Sequence, residues 1–547
     1  MSGQALKEEE RTQPPQGYRY ERHRPEQTLL YQLIEQHYPR FLAHLSSEGR
    51  TLPGYVQREF EDYLRCGRLE YGFLRVRCLD CHAEKLVAFS CKRRGFCPSC
   101  GARRMVESAA LLVDEVFPHV PMRQWVLSVP YPLRFLFATH PAAMGESLSI
   151  VYRAIESFLI RKAHLTRSKA QCGAVTLIQR FGSALNLNVH FHMLIPDGVY
   201  LKHPPLSMRA PASSPQLQLP HTPAAGPDGE SEEGEYAARR AEEGQGGYAA
   251  RREAYLRKVS APRVAELHAL LQRISVRIAR HLERQGLLVR DADDSFLDSG
   301  FLDRLASDSE GEGVLQELQS HSITYRIAVG PHKGRKAFML QSLPPLTEEA
   351  ERPGVAQLAG FSLHAGVAAG AHQRYKLERL ARYITRPVLA LERLSLTPQG
   401  YIRYALKTPY RDGTTHVILE PLDFLARLAS LVPLPRVNLT RFHGVFAPHA
   451  GLRMRIVPAK PRQQPGPDEE GAFAHRHRAM TWAQRLRRVF NIDIETCELC
   501  GGAVKILACI QDPAVIRKML QGPAGQQFLS SPPPPARGPP GPADGTS

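Results

Sequence analysis

The chain has 547 residues, 43% of them hydrophobic, and a formal net charge of +17 from 71 Lys and Arg against 54 Asp and Glu. That length suits about three domains of ordinary globular composition, and no apolar run approaches the roughly 18 residues of a membrane-spanning helix. The first residues, MSGQALKEEERTQPPQ, carry no apolar leader, so the expectation is a cytoplasmic protein with no membrane partner, whose positive charge favours a polyanion, most simply nucleic acid.

Residues 1–27 are polar and expected to be a disordered tail. From Thr28 to Leu64 apolar residues recur at helical spacing, Leu29, Leu30, Leu33 and Ile34 and then Phe41, Leu42 and Leu45, which predicts one or two helices. Ten cysteines occur, six of them between Cys66 and Cys100, and in a cytoplasmic chain such clustering favours metal over disulfides. Cys78-x2-Cys81 and Cys97-x2-Cys100 have the spacing of a zinc ribbon, in which two knuckles supply four thiolates to one structural Zn2+. Cys91 lies between the pairs and could replace one of the four. Arg103 and Arg104 follow directly, suited to phosphate contacts or to a solvated helix start. Residues 104–116 are expected to be helical, Trp125–Val129 a strand, and 143–163 an amphipathic helix.

Two further strands follow, Ala174–Ile178 and Leu187–Leu194, joined by a turn at Gly182-Ser183. In the second, Val189, Phe191 and Met193 alternate with Asn188, His190 and His192. Two imidazoles two residues apart on one face can hold a divalent ion, although such a pair also arises by chance on an amphipathic strand. Residues 202–252 are rich in Pro, Gly, Ser and Glu and read as a surface insertion. Residues 262–285 resume a helical pattern; Ser307–Gly313 reads as exposed loop; Ile323–Val329 and Phe338–Leu340 are expected strands. Residues 371–386 form a helix stopped by Pro387, with Tyr383 at the margin of its apolar stripe and Arg379, Arg382 and Arg386 around it. Asp412-Gly413 marks a hairpin, and Pro421–Leu431 a short helix. Residues 457–473 are a Pro-rich linker, Thr481–Phe490 a short basic helix, and Cys497-x2-Cys500 a further knuckle near Cys509, whose fourth ligand, His475 or His477 among the choices, is open.

A histidine pair on a strand and a tyrosine in a basic setting suit DNA strand transfer. A divalent ion polarises the phosphate, and the phenol oxygen attacks phosphorus to give a covalent phosphotyrosine. The runs Cys78 to Cys100, Asn188-Val189-His190-Phe191-His192 and Leu380-Ala381-Arg382-Tyr383-Ile384-Thr385-Arg386-Pro387 together resemble IS91-family transposases. So do Leu406–Gly413, Arg441–Pro448 and the ending from Thr481 to Gly502.

The resemblance implies an α+β fold: an antiparallel, ferredoxin-like HUH nuclease palm, an N-terminal zinc-ribbon domain and a small C-terminal Cys-containing module. It implies rolling-circle transposition, in which single-stranded transposon ends are nicked with Mg2+ or Mn2+ and the 5′ end is held on Tyr383. It assigns His190 and His192 to the catalytic ion, and Cys78, Cys81, Cys97 and Cys100 to structural zinc. It departs in one respect: two-tyrosine members carry a second tyrosine four residues earlier, where this chain has Arg379, so it looks like the single-tyrosine, common-region branch. One tyrosine then serves both ends in turn, or a second subunit of a homo-oligomer resolves the intermediate. The expected organisation is 28–120 helical and zinc-binding, 121–201 and 261–456 the two parts of the nuclease, 202–260 an insertion, 457–480 a linker, 481–521 the Cys module, and 522–547 a tail. An HUH replication initiator or relaxase would use the same residues, and a non-catalytic zinc-finger DNA-binding protein would use only the cysteines and the charge. Asn188, Asp197 and His364 are open choices for a third ligand.

Overall fold

The computed structural model describes residues 24–202, 254–291, 294–297, 312–344, 354–458, 495–497 and 499–522. The expected terminal tails, the insertion, the linker after residue 458, the Thr481–Phe490 helix and His475 and His477 fall wholly or mostly outside them. The architecture is mixed α/β with antiparallel sheets. Among the described residues, no helix is long and apolar enough to cross a membrane.

The central sheet has six strands in the order Val355–Leu358, Phe361–Ala369, Met122–Ser128, Leu187–Pro196, Gly173–Phe181 and Thr440–Gly444, each antiparallel to its neighbours. The hairpin joining Gly173–Phe181 to Leu187–Pro196 closes where the Gly182 N–H donates to the Asn186 carbonyl at 2.9 Å. One face of the sheet is mainly apolar. Val189, Phe191, Met193, Trp125 and Leu127 are buried there against the helices Pro141–Lys162 and Val264–Arg284. Each such side chain contributes about 1.5–3 kcal/mol on full burial, so the strand is held from behind by a rigid core.

The opposite face is mixed. Val175, Leu177 and Leu194 pack under Leu377 and Ile384 of the helix Arg374–Thr385 and against Leu112, Val113 and Val116. Those last three lie on a wide turn, Leu111–Val116, that continues the helix Pro98–Ala110. The Arg374 guanidinium ties the start of one element to the end of the other, donating to the carbonyls of Val113, Phe117 (3.0 Å) and Pro118 (3.0 Å).

A second core joins the helices Leu29–Ser47, Gly54–Arg65 and Pro421–Leu431 to a four-stranded sheet, Phe338–Gln341, Thr414–Leu419, Ile402–Ala405 and Leu394–Leu396. Its Asp412-Gly413 turn forms as expected. Gly413 has φ +84°, and a Cβ there would stand 1.8 Å from the Leu343 carbonyl oxygen. A three-stranded sheet pairs Val504–Ile510 with Phe73–Cys78, and that strand with Glu84–Ala88, so the C-terminal Cys segment adds a strand to the N-terminal region.

Three expectations shift. The helix expected over 104–116 begins at Pro98, because proline at its first position suits the helical φ and lacks an N–H to satisfy. Ile323–Val329 is not a strand: a helix, Glu312–Ile323, runs through its first residue and over the end of the expected loop, and only the single bridge Arg326–Lys336 follows. Tyr131–Thr139 is a helix that periodicity did not single out.

Candidate functional site

His190 and His192 lie on an inner strand, on the mixed face of the sheet, with ring centroids 4.9 Å apart. The Nδ1 of His190 is 2.8 Å from the Asn188 carbonyl oxygen, which can only accept, so Nδ1 carries the proton and Nε2 keeps its lone pair. The Nδ1 of His192 lies 2.6 Å from the side-chain amide nitrogen of Gln124. The Nε2 of His192 is buried and has no hydrogen-bond partner. Burial, reinforced by the positive charge of Arg386, takes His190 down to about 4 and His192 well below its ordinary value. Both rings are therefore neutral near pH 7, the state in which imidazole ligates metal.

Tyr383 belongs to the helix Arg374–Thr385, whose Leu377, Ala381 and Ile384 are buried, and is itself 41% exposed at the edge of that face. Gln179 fastens the helix end to the sheet, its Nε2 donating to the Ile384 carbonyl at 2.8 Å. Gln179 is the residue paired directly across from His190. The tyrosine helix thus ends over the strand next to the histidines, on their side of the sheet. The Arg386 guanidinium lies 4.4 Å from the Tyr383 ring centroid and 5.2 Å from that of Phe181, and its charge reaches both histidines. The Lys407 ammonium lies 4.0 Å from the Tyr383 centroid. Burial lowers both cations from their ordinary values.

Of the other arginines singled out, Arg379 and Arg382 lie 5.9 and 6.0 Å from the Tyr375 ring centroid. Arg103 pairs with Glu107 at 3.0 Å, and Arg104 donates to the carbonyls of Lys92 and Arg93 at 3.1 Å. Asp197 is bound by Arg123 at 2.7 Å. His364 is in register with Val126, and Val126 with His192, which places His364 two strands from the pair. Among the described residues, the histidines join no group of three or more His, Cys, Asp or Glu donors within 4.8 Å of one another. Gln124, Gln179 and Lys407 were not singled out from sequence. The first falls on the histidine face by the alternation of its strand, but the other two meet the site only through folding.

The cysteines correct the expected four-ligand set. Cys78, Cys81, Cys97 and Cys100 do not share a site. Cys97 and Cys100 join Cys66 and Cys91, and Cys78 and Cys81 join Cys497 and Cys500, each quartet with its donor atoms within 4.8 Å of one another. The reason is how the segments pack. The Cys91 N–H donates to the Cys66 sulfur at 3.3 Å, and Cys78 and Cys81 sit at the far end of the strand that pairs with Val504–Ile510. The inner quartet is mostly buried and the outer is largely exposed. Cys509 belongs to neither. Four thiolates form a closed coordination shell, which makes both quartets structural and suited to Zn2+. The inner one opens the helix Pro98–Ala110, which packs alongside the tyrosine helix; a Cβ on Gly101 would lie 3.0 Å from Pro387.

Comparison with known families gives two matches. Residues 173–221 and 241–453 match a family model described as "Putative transposase", and residues 33–129 match the transposase zinc-binding domain of IS91 type. No curated protein and no solved structure matches the chain. The two models follow one another along the chain from residue 33 to residue 453, the first taking in the inner cysteine quartet and the second the histidine strand and the tyrosine helix, and on these matches the chain belongs to the IS91 family of transposases.

Proposed function

We propose that this transposase nicks and rejoins single-stranded transposon ends by HUH chemistry, with Tyr383 as the nucleophile. The observation that carries this reading is that Arg386 stacks on Tyr383 and its charge reaches both histidines, while Gln179, opposite His190, fastens the end of the tyrosine helix. The central sheet then serves as the ferredoxin-like palm. His190 and His192 would hold Mg2+ or Mn2+; their neutral rings, held Nδ1 atoms and the orphaned Nε2 of His192 fit that use. With its oxygen turned to the ring, the Gln124 amide accepts from Nδ1 and leaves Nε2 of His192 free to ligate. A bound divalent ion supplies Lewis-acid polarisation of a phosphate oxygen.

The chain's own residues do the rest. The Tyr383 oxygen forms a bond to phosphorus as the bond from phosphorus to the 3′ oxygen breaks. The phenol gives up its proton and the departing 3′ oxygen takes one up, so one phosphoester replaces another and the 5′ end stays on the protein. Arg386 and Lys407 steady the charge of the phosphoryl group under attack. Arg379 and Arg382, with the helix that carries them, meet the DNA backbone; Arg103 and Arg104 join them only by releasing the protein partners they now hold. A zinc-finger DNA binder without catalysis would leave the orphaned imidazole nitrogen and the pinned tyrosine without use.

The test is a denaturing-gel assay for covalent protein–DNA adducts on single-stranded transposon ends. Wild-type protein with Mg2+ forms the adduct. Tyr383→Phe abolishes it while binding DNA with nearly unchanged affinity, and His192→Ala lowers metal-dependent nicking by about 100-fold or more. An ordinary adduct yield from Tyr383→Phe would overturn the assignment.

A further inference from the structure

We propose that the outer quartet, Cys78, Cys81, Cys497 and Cys500, binds a second zinc ion that clasps the C-terminal segment onto the N-terminal sheet. The matched zinc-binding domain ends at residue 129, far short of Cys497. The outer quartet joins residues 422 positions apart, with Cys78 and Cys500 sulfurs at 3.4 Å and Cys81 and Cys497 sulfurs at 3.5 Å. A disulfide needs sulfurs at about 2.05 Å, whereas thiolates about 2.3 Å from a tetrahedral zinc stand roughly 3.8 Å apart. The spacing is that of ligands around one ion.

Three further contacts show the two knuckles built against each other. The Leu79 N–H, inside the first knuckle, donates to the Ala503 carbonyl, just past the second, at 2.9 Å. Cys78 is in register with Val504, so the strand ladder runs directly out of the cysteine cluster. Gly502 abuts Asp80 so closely that a Cβ would fall 2.1 Å from the carboxylate, and Gly501 turns the chain at φ +77°. A Cys-x2-Cys-Gly-Gly run is what this approach requires.

Beyond the strand ladder, only a small apolar core holds the segment. Ile506 and Leu507 on its strand are 58% and 46% exposed, and its helix, Pro513–Gln521, buries only Ile516 in a small core with Leu69, Phe73 and Leu86. So small a core does not offset the entropy of ordering the segment, and metal ligation supplies the difference. Cys81 and Cys500 are exposed residues, so this ion exchanges faster than one in the mostly buried inner quartet.

The experiment is metal analysis of the full-length chain, purified under reducing conditions, by plasma mass spectrometry and by native mass spectrometry. The double variant Cys497→Ser, Cys500→Ser loses one zinc ion per chain relative to wild type. Hydrogen exchange across Val504–Ile510 rises at least tenfold in that variant, while Leu187–Pro196 stays protected. Unchanged zinc content in the variant overturns the proposal. So does a wild-type chain holding a single zinc, or a mass two hydrogens light per cysteine pair, which reports disulfides instead; these wild-type readings do not depend on how the variant folds. Adduct formation plays no part in these readings, so the clasp and the strand-transfer mechanism stand or fall separately.

Discussion

Lys407 is the residue whose role changes most on folding. In the chain it is a basic residue before a hairpin turn; in the structure its ammonium lies 4.0 Å from the centre of the Tyr383 ring. Partial burial lowers it from the ordinary lysine value, with neighbouring Arg386 adding to that and Tyr383 opposing it. A cation held against the ring of the nucleophile stands where it can steady the charge of the phosphoryl group under attack. Lys407→Gln is therefore expected to slow adduct formation about 10- to 100-fold, or roughly 1.4–2.7 kcal/mol of barrier, with DNA affinity changed far less. Single-turnover kinetics at saturating oligonucleotide measures this, and a loss confined to affinity would make Lys407 only a phosphate contact.

Between elements, the tyrosine helix is fixed at three points. Arg374 binds carbonyls at its start, Gln179 takes the carbonyl of Ile384 at its end, and the helix Pro98–Ala110 lies along it. The last contact is close because Gly101 has no side chain where Pro387 passes. Gly101→Val would place a branched carbon 3.0 Å from the Pro387 Cβ, and overpacking of that kind costs about 1–3 kcal/mol. The denaturant midpoint should fall accordingly, and adduct formation should fall with it even where the variant remains folded, because the displaced proline follows the tyrosine by four residues. A variant with wild-type stability and wild-type adduct yield would show that the zinc-bearing helix does not position Tyr383.

At the scale of the whole molecule, partly buried histidines set the response to acid. His443 stacks on Tyr152 with centroids 4.8 Å apart and lies 3.1 Å from the Thr176 hydroxyl, and burial takes it down to about 4. His37 and His416 are lowered by the same cause. The unfolded chain takes up protons at these rings from about pH 6.5 downward while the folded chain does not, so folding stability is full above that pH and falls as pH drops toward 4. For His443 alone the loss approaches about 3 kcal/mol at the acid end. Glu59, raised by burial, works in the opposite sense over its own range. Urea midpoints are expected to drop between pH 7 and pH 5, and a flat profile would contradict the lowered proton affinity of these rings.

Some of this was legible residue by residue. Alternation along Asn188–Met193 divided the strand into an apolar side and a histidine side, because a strand turns successive side chains to opposite faces, and the structure buries Val189, Phe191 and Met193 accordingly. The apolar stripe and Pro387 bounded the tyrosine helix, and Asp412-Gly413 its hairpin, because those signals act through local backbone geometry. The cysteine spacing identified knuckles for the same reason: a Cys-x2-Cys turn is built within four residues. Which knuckle meets which is not local. Cys66 has no partner near it in sequence and reaches its quartet only when Gly54–Arg65 packs beside the Cys91 loop, and Cys497 and Cys500 reach theirs only when Val504–Ile510 joins the N-terminal sheet. The same holds for Gln179 and Lys407 beside Tyr383. Short-range patterning decided the elements and the kinds of chemistry they carry; the assembly of four-thiolate shells and of the tyrosine's cationic setting was decided by tertiary packing, since those contacts join separate elements, up to 422 positions apart for Cys78 and Cys500, that no periodicity spans.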